Sequence, residues 1–187
     1  MARLAVPRRS RAFGALAVAA VLIGPALLWR KASSEAKTES VSNFKLAFTM
    51  PEGWIERPHS PQTLFLYMDP KTRVSMRGAA SQVVADENPT PDLDRDTLTN
   101  QFARVTIDNL GWKAEILGTV DCEGGSYRLI RRETGDRTIV SGIAVRGNTT
   151  IIITLAGIGK AKPHIDAQIP HFRDYLASTT LTKSIMY

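Results

Sequence analysis

Apolar and polar residues alternate with a period of two along several segments, which is typical of strands that bury one face. In segment 44–50, Phe, Leu, Phe and Met alternate with Lys, Ala and Thr before the turn at 51–53. The same pattern predicts two further strands, joined as a hairpin, at 63–68 and 73–80. Four more strands are predicted at 113–121, 126–134, 137–146 and 149–157. Because short turns join these four, we expect an antiparallel meander.

Two other segments show the period of an amphipathic helix. The first helix is predicted from Asp96, which can cap its first turn, to Leu110, just before Gly111. Its apolar stripe is Leu98, Phe102 and Val105. The second helix is predicted from apolar residues spaced i, i+4, i+7 and i+11, which are Ile165, Ile169, Phe172 and Leu176. Pro170 is expected either to kink this helix or to mark its start.

The order of these elements, three strands, a helix, four strands and a helix, predicts one globular domain over residues 44–187. Helices with apolar stripes bury them on the faces of a sheet. The expected fold class is therefore α+β, with a central, mostly antiparallel sheet of about six to seven strands and two main helices. Residues 32–43 are small and mostly polar without a period, which indicates a tether ahead of the domain.

An uncharged apolar run over residues 12–29 lies between four arginines and the pair Arg30–Lys31. As a helix this run would rise about 27 Å, close to the roughly 30 Å of a bilayer's hydrocarbon core. We therefore expect residues 1–31 to form a basic segment followed by a transmembrane signal-anchor. The four arginines predict a cytoplasmic amino terminus and an extracytoplasmic domain, in a single-pass protein of the cell (inner) membrane.

Cleavage of the amino-terminal segment is the alternative, and it would give a secreted protein. The nearest small-residue cleavage site, 32–34, is separated from the apolar run by Arg30–Lys31, which favours retention of the anchor. A lipid anchor would need a cysteine just after the apolar run, but the single cysteine of the chain is Cys122.

The positive charge of the chain is concentrated in its amino-terminal part. Residues 1–37 contain seven of the 24 Lys and Arg residues and one of the 18 Asp and Glu residues, which accounts for the whole net charge of +6. The rest of the chain has 17 of each and is neutral. Because nucleic-acid binding needs a net basic domain, the sequence argues against a nucleic-acid partner.

Residues 48–54 have the sequence Phe-Thr-Met-Pro-Glu-Gly-Trp. They resemble the opening of PsbP-like domains, in which an apolar strand runs into a Pro-x-Gly-Trp turn. The helix over 172–177, followed by Ser178 and a short extended piece, is also similar to the end of these domains. Over about residues 44–183, the resemblance implies an α/β/α sandwich around an antiparallel sheet, of a membrane-anchored bacterial type. It implies a binding or assembly role and supplies no catalytic residues.

Several short patterns resemble chemical motifs but are incomplete. The segment Gly157–Lys160 lacks both the earlier glycine and the following Ser or Thr of a phosphate-binding loop. The alternating acids of segment 92–96 have the spacing of a calcium loop, but Thr97 and Ala103 stand where that loop needs Gly and Glu. No nucleophile motif surrounds Ser141 or Cys122. The sequence therefore predicts no catalytic residue, no metal site and no cofactor.

Four arginines form the candidate contact surface for a partner. Arg73 and Arg77 alternate with Ser75 on the third predicted strand, and Arg128 and Arg132 share one face of the fifth. If the two faces coincide, these arginines form a basic stripe on an otherwise neutral domain. The alternative is an ordinary surface on which the arginines are balanced by acids, here Glu133 and Asp136.

The leading hypothesis is a non-enzymatic, membrane-tethered extracytoplasmic domain that binds a protein or another component of the cell envelope. A periplasmic hydrolase with an unrecognised site is one alternative, and it predicts a concave pocket with titratable groups of shifted pKa. A small-ligand or ion sensor built on the acidic loop is the other.

Overall fold

The computed structural model describes residues 37–41, 44–82, 95–146 and 149–183. Within these ranges, no helix combines the length and the apolar character needed to cross a bilayer. The predicted membrane span at 12–29 lies outside the described residues, and so do the first two acids of the incomplete calcium-loop pattern, Asp92 and Asp94.

In the described part of the chain, ten strands form two sheets, and two α-helices pack against the larger sheet. The strands are β1 (Lys37–Val41), β2 (Phe44–Phe48), β3 (Ile55–Glu56), β4 (Thr63–Met68), β5 (Ser75–Gln82), β6 (Lys113–Cys122), β7 (Gly125–Thr134), β8 (Arg137–Arg146), β9 (Thr149–Ile158) and β10 (Thr180–Lys183). The helices are α1 (Arg95–Leu110) and α2 (Ile165–Ala177), and a 3₁₀ helix, Gly159–His164, leads into α2.

The main sheet has seven antiparallel strands in the order β3-β4-β5-β9-β8-β7-β6. Its β6–β9 part is the meander that the sequence predicted, with strand ends that agree to within one residue. The first hairpin is also confirmed, although β5 begins two residues later than predicted, at Ser75. Pairing of β9 with β5 joins the meander to the hairpin, so that all seven strands form one sheet.

A second, smaller sheet has the order β1-β2-β10. In it, the second strand of the domain pairs with the last one. Its strand β1 lies inside the segment 32–43, which the sequence indicated as a tether without secondary structure. The sequence analysis missed β1 because this segment has no apolar period. An edge strand is held by main-chain hydrogen bonds to its neighbour, here β2, and these bonds do not depend on the side chains. An ion pair between Lys37 Nζ and Glu56 Oε1, 2.8 Å long, also links β1 to β3.

The two helices cover opposite faces of the main sheet. Phe102 of α1 lies against the guanidinium of Arg132, whereas Asp166 of α2 pairs with Arg131. Since successive residues of a strand point to opposite faces, α1 and α2 must lie on opposite sides of β7. The expected α+β fold, a central antiparallel sheet between helices, is confirmed.

The buried face of α1 differs from the predicted stripe. Val105 is 50% exposed, whereas Thr99 and Thr106 are buried. Each threonine hydroxyl donates to the carbonyl oxygen four residues earlier, at 2.8 Å in both cases, so a buried threonine leaves no unpaired polar group. Asp96 lies in the first turn and accepts a hydrogen bond from Arg95 Nε, instead of standing ahead of the helix as its cap.

The predicted second helix is confirmed as α2. Ile165, Phe172 and Leu176 are buried and Ile169 is partly buried, as the spacing predicted. Pro170 lies inside the helix, which begins five residues earlier at Ile165, so this proline does not mark the start.

The side-chain hydroxyls of Tyr127 and Tyr175 lie away from water in the core. Tyr127 Oη is 3.0 Å from Thr179 Oγ1, while Tyr175 Oη has no hydrogen-bond partner among the described residues. Burial raises the pKa of both tyrosines above the ordinary value of 10. Both side chains therefore stay protonated in the folded protein at pH values where an unfolded chain would lose the proton.

Replacing Tyr175 with phenylalanine is expected to flatten the alkaline loss of stability. Above pH 10 the unfolded wild type binds fewer protons than the folded one, so each buried tyrosine lowers the free energy of unfolding by about 1.4 kcal/mol per pH unit. The Tyr175→Phe variant lacks one such contribution and loses no hydrogen bond at neutral pH. Urea unfolding from pH 8 to 11 measures the difference in slope, and parallel curves for the two proteins would contradict the assignment.

Candidate functional site

Three of the four predicted contact arginines lie on one face of the main sheet. Arg77 of β5 pairs in register with Thr154 of β9, which pairs with Ser141 of β8 and, through it, with Ile130 of β7. Residues paired across antiparallel strands share a face, and so do residues two apart along a strand. Arg128 and Arg132, on either side of Ile130, therefore lie on the same face as Arg77. We call this the arginine face.

A row of polar contacts crosses this face. Arg132 Nη2 donates to Ser141 Oγ at 3.1 Å, and Ser141 Oγ lies 3.2 Å from Thr154 Oγ1. At the far end of the row, Arg77 Nε donates to Thr63 Oγ1 at 3.1 Å. All three acceptor side chains are neutral hydroxyls, so the row holds the guanidinium groups in place without neutralising them.

Arg132 is the most enclosed of the three arginines. Its guanidinium carbon lies 4.5 Å from the centre of the Phe102 ring, beneath α1. Burial lowers the pKa of Arg132 to about 10, because the charged form has lost much of its hydration. Its Nε is buried and has no hydrogen-bond partner in the described part of the chain.

Arg128 has a similar arrangement farther along β7. Its Nη1 donates to Thr119 Oγ1 of β6 at 3.2 Å, and its Nε is buried without a hydrogen-bond partner among the described residues. Arg128 and Arg132 thus each combine a contact to a neutral hydroxyl with a donor, Nε, that has no partner among the described residues.

Within the ranges that the structure describes, no carboxylate pairs with an arginine of the arginine face. The acids that the sequence offered as balancing partners pair elsewhere. Glu133 lies 2.9 Å from Lys162 and 3.4 Å from Arg131, and Asp136 lies 3.5 Å from Arg137. Contact with Lys162 is the main reason that the pKa of Glu133 is lowered. Neither of these two acids therefore forms an ion pair with the arginine face.

Arg73 is separate from the arginine face. It lies in the turn before β5 with a φ of 63°, and its N–H donates to the carbonyl of Asp69 at 2.9 Å. The Asp69 carboxylate closes this turn by accepting from the Lys71 N–H and from the Thr72 hydroxyl. The predicted alternation of Arg73 with Arg77 along one strand is thus wrong, because this turn extends through residue 73.

Sequence reasoning considered Ser141 only as a nucleophile and did not identify any hydroxyl of the polar row as a partner of the arginines. Ser141 follows Val140 within β8, Thr154 lies between Ile153 and Leu155 within β9, and Ser141 is fully buried. A serine inside such a strand is a signal for a polar partner, since a buried hydroxyl needs a hydrogen bond. That the partner of Ser141 is Arg132 follows from the register in which β7 pairs with β8, which the sequence alone does not give.

The residues considered for chemistry are placed as structural groups. Ser141 is engaged by Arg132 and Thr154. Burial is the main cause that raises the pKa of Cys122, which is the opposite of what activates a thiol. In the described part of the chain, no three His, Cys, Asp or Glu side chains are grouped closely enough to hold a metal ion.

The fold is shared with solved structures of low sequence identity. The solution structure of cyanobacterial PsbP (CyanoP) from Synechocystis sp. PCC 6803 is 16% identical, with a TM-score of 0.51 over 81% of this chain and 95% of that chain. The crystal structure of LpqN, involved in cell envelope biogenesis of Mycobacterium tuberculosis, is 15% identical, with a TM-score of 0.54 over 79% and 91%. No protein-family model matches the sequence, and no curated protein matches it. The likeness supports a PsbP-like fold.

Proposed function

We propose that this chain is a membrane-tethered, extracytoplasmic and non-enzymatic domain that binds an acidic protein or envelope component through its arginine face. The observation that carries the proposal is the set of half-buried arginines, Arg77, Arg128 and Arg132, which have no carboxylate partner among the described residues. The apolar run at 12–29 supports the membrane tether. LpqN, a protein of similar fold, is involved in cell envelope biogenesis, which is consistent with a role of this kind.

The physical argument concerns the loss of hydration by the guanidinium groups. Removing a charged group from water is unfavourable unless charge-assisted hydrogen bonds replace its hydration. Among the described residues, the acceptors of Arg77, Arg128 and Arg132 are neutral hydroxyls, those of Thr63, Thr119 and Ser141. A carboxylate or phosphate of a partner would provide the missing anionic acceptors, and the rigid sheet already holds the guanidinium groups in place.

A triple variant, Arg77→Gln with Arg128→Gln and Arg132→Gln, is expected to reduce partner capture at least tenfold. A hydrogen bond to a charged group contributes about 1.5–3 kcal/mol, so the loss of even one such bond accounts for a tenfold change. The measurement is crosslinked co-purification of the full chain from its own membranes, quantified for each protein that is captured with the wild type.

The matched control removes the same charge from exposed lysines on other surfaces, as Lys45→Gln with Lys71→Gln and Lys160→Gln. Capture by this control should stay close to that of the wild type. Equal losses in both triple variants would assign the effect to net charge and reject the arginine face, as would unchanged capture by the arginine variant. The single change Arg73→Gln should have a smaller effect than the arginine triple variant, because Arg73 lies in a separate turn.

A further inference from the structure

A groove of about 610 Å³ lies on the side of the main sheet that faces α2, opposite the arginine face. Buried side chains from the sheet and the helix, Met76 and Phe172, form part of its floor. The half-buried Trp54 lines one side. This volume lies within the range of small-molecule sites, about 300–1,000 Å³, and the lining combines an apolar floor with polar side chains.

A tight turn places an aromatic ring and a carboxylate beside each other in the lining. The N–H of Trp54 donates to the carbonyl of Pro51 at 3.1 Å, and Gly53 has a φ of 77°. A β-turn with a positive φ at its third residue requires glycine there. The turn therefore fixes the backbone of Glu52 and Trp54, and both line the groove.

The charge of the lining is negative. Glu52 and Asp174 are exposed carboxylates that line the groove, and neither pairs with a cation in the described part of the chain. Among the described residues, no lysine or arginine lines the groove, and the basic side chain in the lining is that of His171. In a neutral domain, this groove is a local site of negative potential.

We propose that the groove binds a small organic amine, a ligand with an aromatic or aliphatic body and a positively charged nitrogen. The body would contact the apolar floor at Met76 and Phe172, which removes apolar area from water. The ammonium group would interact with the face of the Trp54 ring and with the carboxylates of Glu52 and Asp174. A ligand with a carboxylate in place of the ammonium would meet two like charges, so the groove should discriminate by charge.

The test titrates the full chain, purified in detergent micelles, with three probes that share a phenyl ring and a short chain but differ in charge. They are 2-phenylethylamine, 2-phenylethanol and 3-phenylpropanoate, and isothermal titration calorimetry with empty micelles subtracted gives each Kd. The amine should bind at least tenfold more tightly than the carboxylate, with the alcohol between them. An amine that binds no more tightly than the carboxylate, or that gives no binding, would overturn the proposal.

Variants separate charge recognition from damage to the fold. Glu52→Gln with Asp174→Asn should weaken binding of 2-phenylethylamine about tenfold and leave binding of 2-phenylethanol unchanged. The control, Asp108→Asn with Asp121→Asn, removes two exposed carboxylates elsewhere on the domain and should leave both affinities unchanged. Equal weakening of the amine in both double variants would reject the groove as the site. Because the arginine face lies on the other side of the sheet, loss of partner capture there leaves this result unaffected.

Discussion

Replacing Phe65 with alanine is expected to lower the free energy of unfolding by about 3–5 kcal/mol, as for other fully buried aromatic residues. Phe65 has no exposed surface. Its ring centre lies 4.9 Å from that of Tyr67, 4.6 Å from Phe48 of the small sheet and 6.1 Å from Tyr175 of α2. The side chain therefore joins the main sheet to both layers on its α2 side. Urea unfolding of the full chain in mild detergent, followed by far-ultraviolet circular dichroism, measures the loss.

A second substitution tests whether the close fit of this ring causes the effect. A methyl group at Gly78 of β5 would overlap the Phe65 ring, so Gly78→Ala alone should cost about 1–3 kcal/mol through overpacking. In the Phe65→Ala background the overlap is absent, and the same change should be neutral or slightly stabilising. A coupling energy above about 1 kcal/mol in this double-mutant cycle is expected. Additive effects would show that the ring moves aside freely.

Replacing Arg132 with methionine is expected to raise the free energy of unfolding by about 1–2 kcal/mol. The lowering of the Arg132 pKa to about 10 corresponds to roughly 3 kcal/mol against the charged form in the folded state. Methionine keeps the apolar contact with Phe102 and removes the charge. The loss of the Ser141 hydrogen bond and of the contact between the cation and the ring offsets part of the gain, by about 1–2 kcal/mol.

The neighbouring residue provides a matched control for this prediction. Arg131 lies next to Arg132 on β7 but pairs with Asp166 at 2.8 Å and with Glu133 at 3.4 Å. Arg131→Met should therefore lower stability or leave it unchanged. Destabilisation by Arg132→Met of more than 1 kcal/mol would mean that the contacts of this guanidinium outweigh its lost hydration. A stabilised variant that captures less partner would indicate that Arg132 is retained for binding at the expense of stability.

Local patterns were sufficient for much of the fold. The meander β6–β9 was predicted to within one residue because its alternation and its turns are both encoded by neighbours in sequence. Strands β1 and β3 were missed for the opposite reason. They are short, and they are held by backbone pairing with β2 and β4 rather than by an apolar period of their own.

The candidate sites depend on contacts between distant parts of the chain. Alternation alone placed Arg128 and Arg132 on one face of β7, but their relation to Arg77 depends on β9 lying between β5 and β8. The groove also joins distant segments, the turn at 51–54 and helix α2. The Pro-x-Gly-Trp turn indicated one side of the groove in the sequence, because this turn brings Glu52 and Trp54 together. The other side of the groove is formed by α2, and its position depends on how that helix packs against the sheet.

The pairing of β2 with β10 also sets an order of events during synthesis. Phe44 to Ala47 pair with residues 180–183, so the small sheet cannot close until nearly the whole described domain has left the ribosome. Until then, Leu46 and Phe48, which are buried in the finished domain, lack the Leu181 side of their environment. Contacts between segments so far apart in sequence carry a loop-closure cost, so we expect the pairing of β10 with β2 to form late in folding. The nascent chain of this protein therefore exposes apolar side chains of β2. These side chains need protection from aggregation until β10 has been synthesised.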